Sequence, residues 1–211
     1  MPNERLPLPV LMLVTDRNLA GGDNALMRKV EEAVVGGVNV VQLREKDMVH
    51  DELVALAKRL REAIAGRALL LVNGSPVAAR EAGADGAHMP EYAASLVERP
   101  PGLLAGRSVH SVEAALRAEA ESADYVIFGP IYETQSHVAT MQAGVAALRE
   151  VADAVSIPVI AIGGVTAPSV QEVMHAGASG VAVIRAILAS DDAGAAAAAF
   201  RDALSAERAR A

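Results

Sequence analysis

The sequence predicts a single α/β domain, a (β/α)8 TIM barrel closed by eight parallel strands. Three observations carry this expectation. Eight short β-rich runs alternate with Ala-, Glu- and Arg-rich stretches whose apolar residues recur at helical spacing. Four segments, VVGGVNVV, EAGADGAH, AESADYVI and HAGASGVA, repeat one plan, in which a helix end, usually with Gly, stands a residue or two before a strand. A length of 211 residues with 52% hydrophobic content suffices for one full core, near the lower end of the size range of such barrels. An open doubly wound sheet would want a Gly-rich dinucleotide turn after the first strand, and TDRNLAGGDN lacks the GxGxxG spacing.

The elements follow in order. An N-terminal extension over 1–9 leads into the first strand, LMLVTD (11–16), and then into the amphipathic helix ALMRKVEEAVVGG (25–37). The second strand is VNVVQL (38–43), followed by the helix HDELVALAKRLREAIAG (50–66). ALLLVN (68–73), DGAHM (85–89) and LLAGRSV (103–109) are the third to fifth strands, and SVEAALRAEAESA (111–123) is helical. DYVIFG (124–129) is the sixth strand, with a long polar loop after it and the helix AALREVADAVS (146–156) beyond. PVIAIG (158–163) and GVAVI (180–184) flank the helix APSVQEVMHAGA (167–178). The Ala-rich stretch 191–211 has high helix propensity and is expected to wrap back over the exterior of the first strand. All of 1–211 is read as one domain.

Composition excludes several function classes. Acidic residues outnumber basic ones 26 to 19, with no Lys/Arg-rich block, so no nucleic-acid partner is expected. No window approaches about 18 uninterrupted apolar residues, and MPNERLPLP lacks an apolar signal core. The chain is therefore expected to be cytoplasmic and without a membrane partner. Zero cysteines remove disulfides, thiolate nucleophiles and Cys-ligated metals. With only 3 Tyr, 2 Phe and no Trp, a base-stacking platform has little to build on.

Candidate site residues lie at the strands' C-terminal ends, where barrels of this kind bind ligands. Gln42, Arg44 and Lys46 share one face of the second strand and its extension. Turning two cations inward is costly unless an anion compensates them, which points to a small-molecule phosphate or carboxylate substrate. Pairing with a lumen acid such as Asp16 is the structural alternative. Asn73 closes the third strand, and Ser108 with His110 the fifth. Gly163-Gly164 after the seventh strand, and Val183, Ile184 and Arg185 after the eighth, occupy the positions where such barrels cradle phosphate with backbone N–H groups. His50 and His175 fall on helices and are expected at the surface.

The segments VTD (14–16), VQLREKD (41–47), VNG (72–74), GADGAH (83–88), GRSVHSVEAAL (106–116), ADYVIFGPIYET (123–134), IPVIAIGGVT (157–166) and AGASGVAVIRAI (176–187) together resemble the thiamine phosphate synthase superfamily, which includes the TenI-type thiazole tautomerases. The resemblance spans nearly the whole chain and implies a homodimer. For the synthase branch it implies Mg²⁺-dependent coupling of hydroxymethylpyrimidine diphosphate with thiazole phosphate, with Gln42, Arg44 and Lys46 on the diphosphate and Asn73 and Ser108 nearby. The stretch around the thiazole phosphate corresponds here to Glu133-Thr134-Gln135-Ser136-His137, which places Thr134 and Ser136 on the substrate.

Departures from the synthase pattern move the expectation to the other branch. Gly74 stands where an Asp ligand belongs, and His88-Met89-Pro90-Glu91-Tyr92 lacks the expected acidic turn. The resemblance then implies a metal-independent, cofactor-free thiazole tautomerase, an isomerase that aromatises thiazole carboxylate phosphate by a proton shift. That shift needs an acid/base group. Pro130 occupies the place of the catalytic His, so the base must come from His137, which is favoured, or from Glu133, His110 or His88. Two readings compete with the tautomerase: a synthase with a rearranged Mg²⁺ site using Glu91 or Asp16, and a non-catalytic thiazole or thiamine phosphate binder.

Overall fold

Each apolar run forms a strand within about two residues of its expected bounds. They are β1 (Val10–Val14), β2 (Val40–Leu43), β3 (Leu69–Asn73), β4 (Gly86–Met89), β5 (Leu104–Val109), β6 (Tyr125–Phe128), β7 (Val159–Ile162) and β8 (Gly180–Val183). The structure is a computed structural model and describes residues 6–93, 101–134 and 142–208. Every neighbouring pair is parallel, and β8 pairs with β1 to close the barrel, with Met12 opposite both Val40 and Ala182.

The period of two divides the apolar side chains into two cores. Leu11 and Leu13 face outward into the layer between strands and helices, with Val41, Leu43, Leu70 and Val72. Val10, Met12 and Val14 face the lumen with Val40, Leu71, Leu104 and Tyr125. Leu6, from the N-terminal extension, joins this inner set and is 3% exposed, so part of the extension belongs to the core.

The helices are α1 (Arg17–Ala20), α2 (Asp23–Gly36), α3 (His50–Ile64), α4 (Pro76–Glu81), α5 (Val112–Ala120), α6 (Gly144–Ala154), α7 (Val170–His175), α8 (Arg185–Leu188) and α9 (Ala193–Arg208). α4 lay in no expected helix although its start signals are present: Ser75 accepts from the Ala78 N–H at 3.1 Å and Pro76 takes the first helical position. Among the described residues no helix lies between β4 and β5. The helix expected over 167–178 is divided into a 3₁₀ turn at Ala167–Ser169 and α7. α9 packs chiefly on α2, and its Ala197, Phe200 and Leu204 share the outer core with Leu11 and Leu13 of β1; Gly36 permits the approach, since a Cβ there would meet the Gly194 carbonyl oxygen.

The repeated segments have a physical basis at the barrel floor. Gly37, Gly83 and Gly177 end their helices at φ 120, 66 and 95, and Ser122 takes the same left-handed conformation at φ 65 in the copy that lacks Gly. Two residues on, Asn39 accepts from the Leu11 N–H at 2.9 Å, Asp85 from Leu70 at 2.8 Å and Asp124 from Ala105 at 2.7 Å. Each side chain thus satisfies the start of the preceding strand. Among the described residues no helix is long and apolar enough to cross a membrane.

Candidate active site

The C-terminal ends of the strands open into a cavity of about 1090 Å³. Gln42, Arg44, Lys46, Asn73 and Ser108 line one sector, and Gly163, Gly164, Val183, Ile184 and Arg185 another. His110, Glu133 and Thr134 complete the set of expected residues on its wall. Ser136 and His137 lie outside the described residues.

Charge is the cavity's main feature. Among the described residues Arg44, Lys46 and Arg185 take part in no ion pair, although all three line the same space. Burial pushes the Arg44 guanidinium down from its ordinary pKa, against the raising effects of Asp16, Glu45 and Tyr92. The structural alternative for these cations does not form: Asp16 caps α1, accepting from the Leu19 N–H at 3.0 Å. Glu45 is 8% exposed and accepts from the Thr15 hydroxyl at 2.6 Å and the Arg17 N–H at 3.1 Å. Burial raises its pKa, with those hydrogen bonds acting in the opposite sense. Arg44 is half-buried while Lys46 and Arg185 are exposed at the rim, so among the described residues Arg44 is the wall cation whose charge a bound anion would offset, with the other two adding positive potential to the same space.

Below the rim runs a buried polar column. His88 is 1% exposed; its Nδ1 lies 3.1 Å from the Tyr125 hydroxyl and its Nε2 2.9 Å from Ser108 Oγ. Gln42, 2% exposed, reaches Met12 Sδ at 3.6 Å with its amide nitrogen. Burial, with Arg107 and Arg44 adding to it, pushes His88 from 6.5 down to about 3, so the imidazole is neutral at any working pH. Below pH 6.5 the unfolded chain binds a proton that the folded chain refuses, so stability falls as pH drops from 6.5 toward 3. Urea unfolding should show a loss of about 1 kcal/mol between pH 6 and pH 5 that is absent in His88→Gln. An equal slope in both proteins would contradict the assignment.

The sequence marked His88 only as one possible base and gave no sign of Tyr125 or Arg107. Arg107 points outward from β5, 4% exposed, pairs with Glu121 at 3.0 Å and donates to the carbonyls of Pro90, Glu91 and Ala93. It holds the turn after β4. A charged residue at an outward strand position facing the helix layer was the available signal.

Gly163 and Gly164 have a packing role whatever they bind. Their φ values are 94 and 67, and a Cβ would stand 2.6 Å from Pro130 Cα and 2.6 Å from the Glu133 carbonyl oxygen respectively. The loop after β6 rests on this backbone, with Ile131 N–H donating to Ile162 and Tyr132 N–H to Gly163 at 2.9 and 3.0 Å. Tyr132 donates to Glu172 at 2.6 Å, and burial raises its pKa to about 12, with Glu172 adding. Pro130 lines the cavity after a cis Gly129–Pro130 bond.

Carboxylates are few. Among the described residues three line the cavity: Glu45, already held by Thr15 and Arg17, Glu91 and Glu133. Glu91 accepts from His110 at 2.6 Å, with Arg117 at 3.9 Å. Asp16 is not on the wall. Among the described residues no group of three His, Asp or Glu is placed to hold a metal.

The family described as thiamine monophosphate synthase matches this chain over residues 11–187. The thiamine-phosphate synthase of Methanoculleus marisnigri is 42% identical over 205 residues, covering 94% of this chain and 97% of that protein. A putative thiamine-phosphate synthase 2 of Aquifex aeolicus is 39% identical over 187 residues, covering 87% of this chain and 100% of its own. Among solved structures, thiamine phosphate pyrophosphorylase from Pyrococcus furiosus superposes with a TM-score of 0.85 at 31% identity, covering 94% of this chain and 96% of that one.

These relatives overturn the tautomerase expectation, and with it the isomerase activity. The departures from the synthase pattern are confined to a few rim positions, Gly74 and the turn at 89–92, whereas the match runs through all eight strands. A carboxylate missing from one loop can be supplied from another, whereas the cation-lined cavity depends on the whole barrel. With the geometry and the match over residues 11–187 in agreement, the chain belongs to the thiamine monophosphate synthase family.

Proposed function

We propose that this protein is a thiamine-phosphate synthase, coupling hydroxymethylpyrimidine diphosphate to thiazole phosphate with release of diphosphate. The observation that carries the reading is one cavity lined by three cations that form no ion pair among the described residues, Arg44 and Lys46 on one sector and Arg185 on the other. A coupling of a diphosphate ester with a phosphate ester needs two anion stations around one space. The volume is ample for two small ligands.

In the reaction the C–O bond between the pyrimidine methylene and the diphosphate breaks, and the thiazole nitrogen forms a C–N bond to the same carbon. Negative charge grows on the departing diphosphate. Arg44 and Lys46, on the cavity wall, would stabilise that charge. Gly163, Gly164 and the backbone at Val183 and Ile184 would hold the thiazole phosphate, with Arg185 above it.

A Mg²⁺ ion carried on a diphosphate keeps several waters and takes one or two carboxylates, and Glu91 and Glu133 are the wall carboxylates able to supply them. Its chemistry there would be to neutralise the leaving group. Glu91→Gln is accordingly expected to raise the Mg²⁺ concentration for half-maximal turnover about tenfold or more. An unchanged requirement would remove Glu91 from the site.

Calorimetry tests the two-station reading directly. Thiazole phosphate should bind to protein already saturated with inorganic pyrophosphate. Strict competition between the two would mean a single anion station and contradict the proposal.

A further inference from the structure

The buried column under the rim has a direction. Burial, reinforced by Asp124, pushes the Tyr125 hydroxyl above its ordinary pKa, with Gln42 acting in the opposite sense. Tyr125 is fully buried, and among the described residues its hydroxyl has a polar side-chain partner in His88 Nδ1 at 3.1 Å. A buried O–H without an acceptor is costly, so this proton goes to Nδ1. A neutral imidazole that accepts at Nδ1 carries its hydrogen on Nε2. Nε2–H then donates to Ser108 Oγ at 2.9 Å. Ser108, its oxygen already accepting, keeps its own proton for the cavity that it lines.

We propose that Tyr125 and His88 are positioning residues that act through Ser108, setting the imidazole in its Nε2–H form so that the Ser108 hydroxyl donates to the bound diphosphate. The opposite tautomer would draw the Ser108 proton inward and turn lone pairs toward an anion. The string Tyr125, His88, Ser108 thus consists of donors that all point toward the cavity, each strengthening the next. Gly106 makes room for it: a Cβ there would stand 2.3 Å from the Tyr125 hydroxyl oxygen and 2.5 Å from His88 Nδ1. The inference rests on the diphosphate reading only for the identity of the anion.

Two measurements on the full-length protein test it. Long-range ¹H–¹⁵N correlation spectra of the ligand-free protein should show His88 as the Nε2–H tautomer, and an Nδ1–H signal would overturn the proposal. The second is a double-mutant cycle of Tyr125→Phe and Ser108→Ala, read as the dissociation constant of inorganic pyrophosphate. Tyr125→Phe should weaken binding about fivefold to tenfold in the otherwise native protein and less than about twofold when Ser108 is already Ala. Equal effects in both backgrounds would mean a merely structural role and overturn the relay. Should Tyr125→Phe fail to fold, the tautomer spectrum decides alone. Absence of pyrophosphate binding in the native protein would sink the diphosphate reading instead, and the spectrum, which needs no ligand, would still decide the direction of the column.

Discussion

Arg44→Met is expected to lower kcat/KM by about a hundredfold while raising the thermal midpoint of the free protein, a pair of opposite changes that follows from one cause. Arg44 is partly buried, has its pKa lowered by that burial, and forms no ion pair among the described residues. Its charge is a cost to the empty barrel and becomes favourable only when an anion arrives. Removing a charge-assisted contact of this kind typically costs about 2–5 kcal/mol of binding. Methionine keeps the apolar stem and fills the space, so folding should gain up to about 1 kcal/mol. Steady-state kinetics and a melting curve check both signs. A drop in both activity and stability would mean that Arg44 serves the fold and not the ligand.

Gly106→Ala is expected to be strongly destabilising. The added Cβ would lie 2.1 Å from Tyr125 Cζ, and Tyr125 is 0% exposed in the packed lumen with nowhere to withdraw. Overpacking of this severity costs about 3 kcal/mol, and it also displaces His88 from Ser108. Denaturant unfolding should show the loss. Adding Tyr125→Leu, which vacates the ring, should recover part of the stability but not the pyrophosphate affinity. Full additivity of the two substitutions would contradict the clash.

How much of this was legible depended on range along the chain. The strands could be read because alternation is local: the inward set Val10, Met12, Val14 and the outward pair Leu11, Leu13 follow from a period of two alone. Gln42, Arg44 and Lys46 were legible for the same reason, since inward polar residues at a strand's C-terminal end stand out against an apolar run. The polar column was not, because His88 meets Tyr125 across 37 positions and Ser108 across 20, and no local pattern encodes those contacts. Arg107 was hidden inside GRSVHS, where it read as part of a motif and not as the clamp on the turn after β4. The branch of the family was misread for a related reason. Rim carboxylates sit on loops, so Gly74 and the turn at Pro90–Ala93 could change while the cation-lined wall, set by strand ends, stayed intact.

The central claim is most directly tested by turnover. Purified protein given hydroxymethylpyrimidine diphosphate, thiazole phosphate and Mg²⁺ should release thiamine phosphate and diphosphate in equal amounts. No product, from protein shown to bind both substrates together, would contradict the synthase reading.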